Sequence, residues 1–445
     1  MPAESGYAAY LEHLPADWQT APIAEVAKVF GGGTPSRDVA LFWKGTIPWV
    51  TPSEVSTLTA AHLGKTREHI SAAGLAASGA TLLPVGSLMI TTRATLGARV
   101  INTVPMTTNQ GFKSLVFPDP GDALYFYYLA DKLKTELKRR ASGTTFLEVP
   151  GVEVGRIRVP LPPMAERRQI AVVLDTLDTA IRQTEAIIEK LKLVKQGLLH
   201  DLLTRGINDN GELRPPQSEA PHLYKASGLG WIPRDWSVTG VQDIAPADRQ
   251  CILTGPFGAQ LGQSDFVPEG VPVLRIGNVQ AGSIDWVNVQ FVSHAKAARL
   301  QRFSIVAGDL LFARQGATTG RNALADERST GALINYHIIR VAVDRDRCEP
   351  IYLHALFNSE SSKGQVDQEK GRGTREGINS RQIAELRFAL PQKVEQRALV
   401  ASITAHSETM RQEQVLFDKL QLQKSGLMDD LLTGRVRVTP LLSAA

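Results

Sequence analysis

The chain has 445 residues, 43% hydrophobic and 21% charged, which is room for about two to four domains with real cores and too apolar for a disordered polymer. No run reaches the roughly 18 apolar residues of a membrane span, and the opening MPAESGYAAYLEHLPADW has neither a basic nor an apolar signal region, so a cytoplasmic protein with no membrane contact is expected. Two cysteines, Cys251 and Cys348, with no CxxC partner exclude a disulfide framework and a thiolate zinc site and read as inert core residues, and the net charge of +4 comes with no polybasic tail. Nucleic-acid binding would therefore need basic side chains gathered on one face, with acidic ones elsewhere.

In chain order, residues 1–160 hold short β-type runs (IPWVTP, SLMITTR, FKSLVF) broken by Gly, Pro and Asn turns, with one helix expected near 122–140. Residues 161–207 follow as one long helix, with Leu174, Leu177, Ile181, Ile188, Leu191, Leu198 and Leu202 at spacings of three, four and seven. Residues 208–389 return to short runs (VPVLRIGNV, DLLFAR, HIIRVAV) around a helix expected near 350–362. Residues 390–438 form a second long helix, with Ile403, Met410, Phe417, Leu420, Leu427 and Leu431 in its seam.

This order is a repeat. Residues 161–204 laid on 390–433 without a gap match at 16 of 44 positions, among them Glu166, Arg182, Gly197 and Asp201 to Thr204. Upstream, LPADW ending at Trp18 matches IPRDW ending at Trp236, Gly86 matches Gly308, Asn109 matches Asn335, and Gly143-Thr144 matches Gly373-Thr374. The fold class expected is α+β: two repeated compact domains, each of about 150 residues, separated by two long helices, each about 60 Å if unbroken, packed as an antiparallel coiled coil. Gly197 and Gly426, matched inside the helices, mark either a close backbone approach or tolerated glycines. The adjacent apolar residues of LLHDLLT and LMDDLLT exceed one seam, which points to a second, partner-facing surface at Leu199, Leu203, Met428 and Leu432.

No motif for chemistry appears. Gly31-Gly32-Gly33-Thr34-Pro35 is not a phosphate loop, Gly64-Lys65-Thr66 lacks the upstream glycine, HExxH, GxSxG and GxGxxG are absent, and the nine histidines show no ligand spacing. No catalytic residue, metal or cofactor is expected, although a single-chain nuclease or methylase with a dispersed site and a coiled-coil protein scaffold both stay open as alternatives.

The x-P-x-D/E-W domain openings, the LPP-x-x-E-R helix start and the GLLHDLLT and GLMDDLLT helix ends resemble the DNA-specificity subunit of Type I restriction-modification systems, over about residues 10–438. One departure is Lys393-Val394, where that family usually has Pro-Leu. The resemblance implies two target-recognition domains, 1–160 and 208–389, each reading half of a split, asymmetric sequence in double-stranded DNA. It also implies that the helices bind two methyltransferase subunits and, through them, restriction/translocase subunits, with methylation and cleavage belonging to those partners.

Base reading needs bidentate donors and acceptors such as Arg, Asn and Gln, whereas Lys, Ser and Thr suffice for phosphates. Polar clusters in turns are the candidates: Thr34, Arg37, Lys44, Thr92, Arg93, Thr95, Asn109, Gln110, Thr144 and Thr145 in the first domain. In the second they are Arg275, Asn278, Gln280, Arg314, Gln315, Thr318, Thr319, Arg321, Arg372, Thr374 and Arg375, with Gly371–Arg375 the densest patch. Each also reads as a turn former, cap or solvated side chain. Trp18, Trp236, Tyr128 and Tyr352 read as core.

Overall fold

A computed structural model of the chain describes residues 5–442 apart from 94, 143–146, 316–318, 360–361, 363 and 366–376. It divides into two units, Met1–Ile188 with Glu413–Ala445, and Glu189–Gln412.

In unit 1 a five-stranded sheet runs in the order Lys28–Gly31, Phe112–Val116, Leu88–Thr91, Arg99–Asn102, His62–Leu63, antiparallel except for the last pair. A three-stranded sheet pairs Ile47–Val50 with Glu68–Ile70 and Thr107–Thr108. Leu88–Thr91 is buried at every position because both its faces are covered. Strand alternation sends Leu88 and Ile90 against helix α1 (Ala123–Arg140), with Tyr125, Phe126 and Leu129, and sends Met89 to the other core beside Val50, Val100 and Phe112. The chain then enters helix α2 (Met164–Thr204) directly after Pro162-Pro163.

Unit 2 repeats the plan with four antiparallel strands, Ile252–Thr254, Ile338–Val341, Leu310–Ala313 and Asn322–Leu324, in that spatial order, and a second four-stranded sheet around Val271–Leu274. Leu310 and Phe312 face helix α3 (Pro350–Phe357) while Leu311 faces the second core. Helix α3 is shorter than the 350–362 expected: it stops at Phe357, where the Asn358 amide group folds back to the His354 carbonyl (2.8 Å). Helix α4 (Lys393–Leu432) completes the chain's long helices.

Within each unit α2 and α4 run antiparallel. In unit 1, Glu166 at the start of α2 meets Arg437 beyond the end of α4, while Asp178, further along α2, pairs with Lys424, earlier on α4. In unit 2, the Ile207 amide after α2 donates to Glu395 at the start of α4 (2.9 Å), and His406 bonds the Leu191 carbonyl (3.0 Å). The seam is not purely apolar: Asp178 is buried, and it also accepts the Tyr128 hydroxyl (2.9 Å), a polar station of the kind that fixes helix register.

The domain openings and helix starts matched in the sequence are two halves of one lock. In unit 1, Glu166 is fully buried; it accepts the Trp18 indole N–H (3.2 Å) and binds Arg437, which also pairs with Asp17 (2.7 Å). In unit 2, Glu395 accepts the Trp236 indole N–H (2.9 Å) and binds Arg214 (2.5 Å), which also pairs with Asp235 (2.9 Å). The Asp-Trp pair and the helix glutamate are thus kept together by an arginine arriving from the other helix's end, and Trp18, Trp236, Tyr128 and Tyr352 are all core.

Two helix expectations need correction. A Cβ on Gly197 or Gly426 would meet nothing within 4 Å, so neither marks a close backbone approach. Leu203 and Leu432 do not form a free face: both are buried, with Leu199 and Met428 packed against the same cores, because the end of α2 packs into the core of the second domain and the end of α4 into that of the first. The apolar residues of the two long helices that stay exposed are Met164, Val172, Ile187, Val415, Leu416 and Leu422 in unit 1 and Leu193, Val194 and Val394 in unit 2.

Candidate nucleic-acid interface

At one end of each domain's sheets four loops converge, and their backbone geometry is the same twice. In unit 1 the Thr92 amide donates to the Gly111 carbonyl (2.8 Å) and the Val149 amide to the Thr92 carbonyl (3.0 Å); in unit 2 the Arg314 amide donates to the His337 carbonyl (3.1 Å) and the Ile378 amide to the Arg314 carbonyl (2.9 Å). The turns at the centre are shaped by asparagine side chains, Asn109 accepting the Gly111 amide (2.9 Å) and Asn335 the His337 amide (3.2 Å). Over each turn passes a glycine, Gly32 or Gly255, on which a Cβ would overlap the backbone carbonyl of Asn109 or Asn335.

These contacts make Thr34 equivalent to Phe257, Gln110 to Tyr336 and Thr92 to Arg314. The strand register makes Glu68, opposite Trp49, equivalent to Gln290, opposite Val273. The side chains at these shared positions differ. In unit 1 the Thr34 hydroxyl donates to Gln110, and Arg37 lies 3.6 Å over the Trp43 ring while binding both carboxylate oxygens of Glu68, one at 3.0 Å. The hydrogen bond from Arg37 holds the Glu68 carboxyl below its ordinary range. Lys44 is exposed and has no partner among the described residues, and Thr95 is also exposed, its carbonyl accepting the Thr91 hydroxyl.

In unit 2 the same edge is aromatic. The Tyr336 and His337 ring centroids lie 3.6 Å apart with their planes tilted by 37°, Phe257 stands 6.0 Å from Tyr336, and Phe257 and Tyr336 are 57% and 41% exposed. Arg314 donates to the Tyr336 carbonyl (3.2 Å) with its guanidinium 5.8 Å from the Phe257 ring. Burial lowers its pKa, and its Nε is buried with no hydrogen-bond partner among the described residues. Burial, reinforced by the Arg314 charge, lowers the His337 pKa, so the imidazole is neutral at neutral pH; Nδ1–H donates to Gln315 (2.7 Å), which leaves Nε2 as an acceptor. Gln280 bonds the Gly277 carbonyl (2.7 Å) and receives Arg321 (3.3 Å).

The candidates thus separate. Thr92 and Asn278 are frame rather than contact residues: Thr92 is fully buried under the Gly111 turn, and buried Asn278 caps its own turn, accepting the Arg275 amide (2.9 Å) as Glu54 caps Thr51 in unit 1 (3.0 Å). Asn109 is a turn former. Arg37 is engaged by Glu68, and Arg93 and Thr319 also have partners. Arg275 is exposed and has no side-chain partner among the described residues. Thr144, Thr145, Thr318, Arg372, Thr374 and Arg375, including the Gly371–Arg375 patch, lie outside the described residues. Phe257, Tyr336 and His337 were not among the sequence candidates. Placing Asn109-Gln110 on Asn335-Tyr336 exposes the exchange, a signal confined to one turn.

Among the described residues no cluster of His, Cys, Asp or Glu could hold a metal ion, and no helix is long and apolar enough to cross a membrane. Fold and edge define a duplicated α+β protein with paired long helices and a variable loop edge on each copy.

The Type I restriction modification DNA specificity domain family matches residues 15–193. The specificity subunit of the Type I restriction enzyme MjaIX from Methanocaldococcus jannaschii is 32% identical over 287 residues, 62% of this chain and 62% of that protein. The MjaVIII specificity subunit of the same organism is 24% identical over 323 residues, 72% of each chain. The fold is that of the Type I restriction-modification S subunit of M. genitalium, at a TM-score of 0.59 and 12% identity over 94% of this chain and 98% of that one. Over these stretches the chain is similar to Type I restriction-modification DNA-specificity proteins.

Proposed function

We propose that this chain is the recognition component of a Type I restriction-modification complex: each domain reads one half of a bipartite, asymmetric target in double-stranded DNA, and bond-making and bond-breaking belong to other subunits. The observation that carries the reading is the duplicated edge, one backbone frame bearing two different sets of side chains. Two readers of one ancestry but different contents are what a split, asymmetric target requires, since discrimination resides in base-edge contacts at about 1–3 kcal/mol per pair. Lys44 and Gln110 in unit 1 and Arg275 and Arg314 in unit 2 are the described residues best placed to contribute, and Thr144, Thr145, Thr318, Arg372, Thr374 and Arg375 remain candidates on their residue types. The exposed apolar positions Val172, Val415 and Leu422 in unit 1, and Leu193 and Val194 in unit 2, support docking of two methyltransferase subunits, with restriction/translocase subunits reached through them in the cytoplasm.

The test is selection by the purified chain from a library of random duplexes at moderate salt. Two short fixed blocks separated by an unread spacer of constant length are expected. A single contiguous motif overturns the two-reader assignment, and no enrichment at any salt concentration overturns DNA specificity and favours a protein scaffold.

A further inference from the structure

Beside the aromatic edge of unit 2 opens a cavity of about 660 Å³, of a size typical for small-ligand sites. Tyr336 and His337 line one side, and Arg275, Gln263, Asn288 and Gln290 are also on its wall. None of these last four side chains has a hydrogen-bond partner among the described residues. Asn288 is the one described non-glycine residue with positive φ (56°), a turn conformation that asparagine tolerates. The contrast with unit 1 is specific. There the position of Gln290 is Glu68, already bound by Arg37, and the position of Tyr336 is Gln110, already bound by Thr34. In unit 2 the corresponding side chains have no hydrogen-bond partner among the described residues, and the close, tilted Tyr336–His337 ring pair stands next to them.

An exposed aromatic face, unsatisfied amides that both donate and accept, and a free guanidinium are together the chemistry that holds a nucleobase in a strand: stacking on the face, hydrogen bonds to the base edge, a cation for the adjoining phosphate. We propose that this cavity accepts one unstacked nucleobase of the bound DNA, resting on Tyr336 and His337, with Gln290 and Asn288 at its edge and Arg275 on its phosphate. The proposal rests on the DNA-reading function proposed above. Neutral His337, with Nε2 free as an acceptor, suits both stacking and an exocyclic amino group.

The experiment uses the full chain and the duplex recovered by selection, prepared fully paired and with a single mismatched pair stepped through the half-site read by unit 2. An unpaired base has already met its unstacking cost, so at one position the mismatched duplex is expected to bind roughly five- to a hundredfold more tightly. Tyr336→Ala should abolish that preference and Tyr336→Phe should keep it, while Gln110→Ala, at the equivalent turn of unit 1, should leave this unit 2 preference in place whatever it does to the half-site read by unit 1. The proposal is overturned if no position shows a preference, or if the preference survives Tyr336→Ala. It is overturned equally if Tyr336→Ala leaves every DNA affinity unchanged but weakens capture of a methyltransferase subunit, which would make the patch a protein contact. Calorimetric binding of free deoxynucleoside monophosphates without DNA, lost in Tyr336→Ala, would reassign the cavity to a free nucleotide. Failure of the selection itself is a different result and counts against DNA specificity as a whole.

Discussion

The turn at Asn109 and the turn at Asn335 have one backbone and opposite surfaces. Each is shaped by an asparagine, crossed by a glycine and hydrogen-bonded to the strand end beside it, yet the first presents Gln110 tied to Thr34 and the second presents Tyr336 against Phe257 and His337. The residues held in common are those that touch backbone; those that diverge point away from it. An edge built this way can change its contents without disturbing its frame, because surface side chains away from caps and special backbone positions typically shift stability by less than about 0.5 kcal/mol.

The frame is therefore where substitution should do most damage. Glu395→Gln removes the charge that binds Arg214, the Trp236 indole and the Ile207 amide, and Glu166→Gln removes the one that binds Arg437 and the Trp18 indole. Breaking a buried pair from one side costs about 3–5 kcal/mol, so both variants should unfold at clearly lower urea, Glu395→Gln the lower because it loses the additional backbone contact. Thiol labelling provides a local readout. Cys251 and Cys348 both lie in unit 2, where burial pushes their pKa up to about 11 and about 12, so at pH 8 they should resist a disulfide reagent in the native chain and react faster in Glu395→Gln. Rapid labelling of the native chain would contradict their burial.

Next in size are the crossing glycines. Gly32→Ala and Gly255→Ala each drive a Cβ into a backbone carbonyl that cannot yield as a side-chain tip would, and about 1–3 kcal/mol of destabilisation is expected from each, with weaker binding to the selected duplex. Similar losses in the two variants would support a shared frame; a loss in only one would show that the turns are less alike than their hydrogen bonds. Exchanging contents should be gentler. Thr34→Phe with Gln110→Tyr places the unit 2 pair on the unit 1 turn and should leave the unfolding midpoint nearly unchanged, while altering only the half-site read by unit 1 when the selection is repeated. Alteration of both halves would refute separate readers.

How much of this is visible in the sequence depends on what each residue answers to. The helices are legible because an apolar position recurs through some forty residues without a Pro, and the Asp-Trp and Glu-Arg motifs repeat because they form one lock. Burial by neighbouring layers is not legible. Thr92 has the composition of a turn residue but ends a strand under the Gly111 turn, and Asn278, a natural base reader by chemistry, spends its amide on a cap. Leu203 and Leu432 exceed the needs of a helix seam, and the surplus serves the domain above them rather than another protein. The aromatic edge escaped because Phe257 and Tyr336 are apolar residues in short runs, where core is the ordinary expectation; only the turn register shows that they replace a threonine and a glutamine.

The smallest effect separates the two edges by pH. Glu68 has its pKa lowered by the Arg37 hydrogen bond, so its contribution to stability is present above the unfolded carboxyl value near 4.5 and is lost as pH falls through the folded value. Both partners are substantially exposed, which limits the contribution to less than about 1 kcal/mol. Gln290, at the equivalent position of unit 2, does not titrate. In Glu68→Gln the two edges become alike in this respect, and the acid limb of the stability profile between about pH 5 and 3 should flatten slightly relative to the parent. Denaturant midpoints measured at half-unit pH intervals resolve the difference. An unchanged acid limb in Glu68→Gln would mean that the Arg37 pair contributes nothing to folding, leaving the stack on Trp43 as the reason that Arg37 lies where it does.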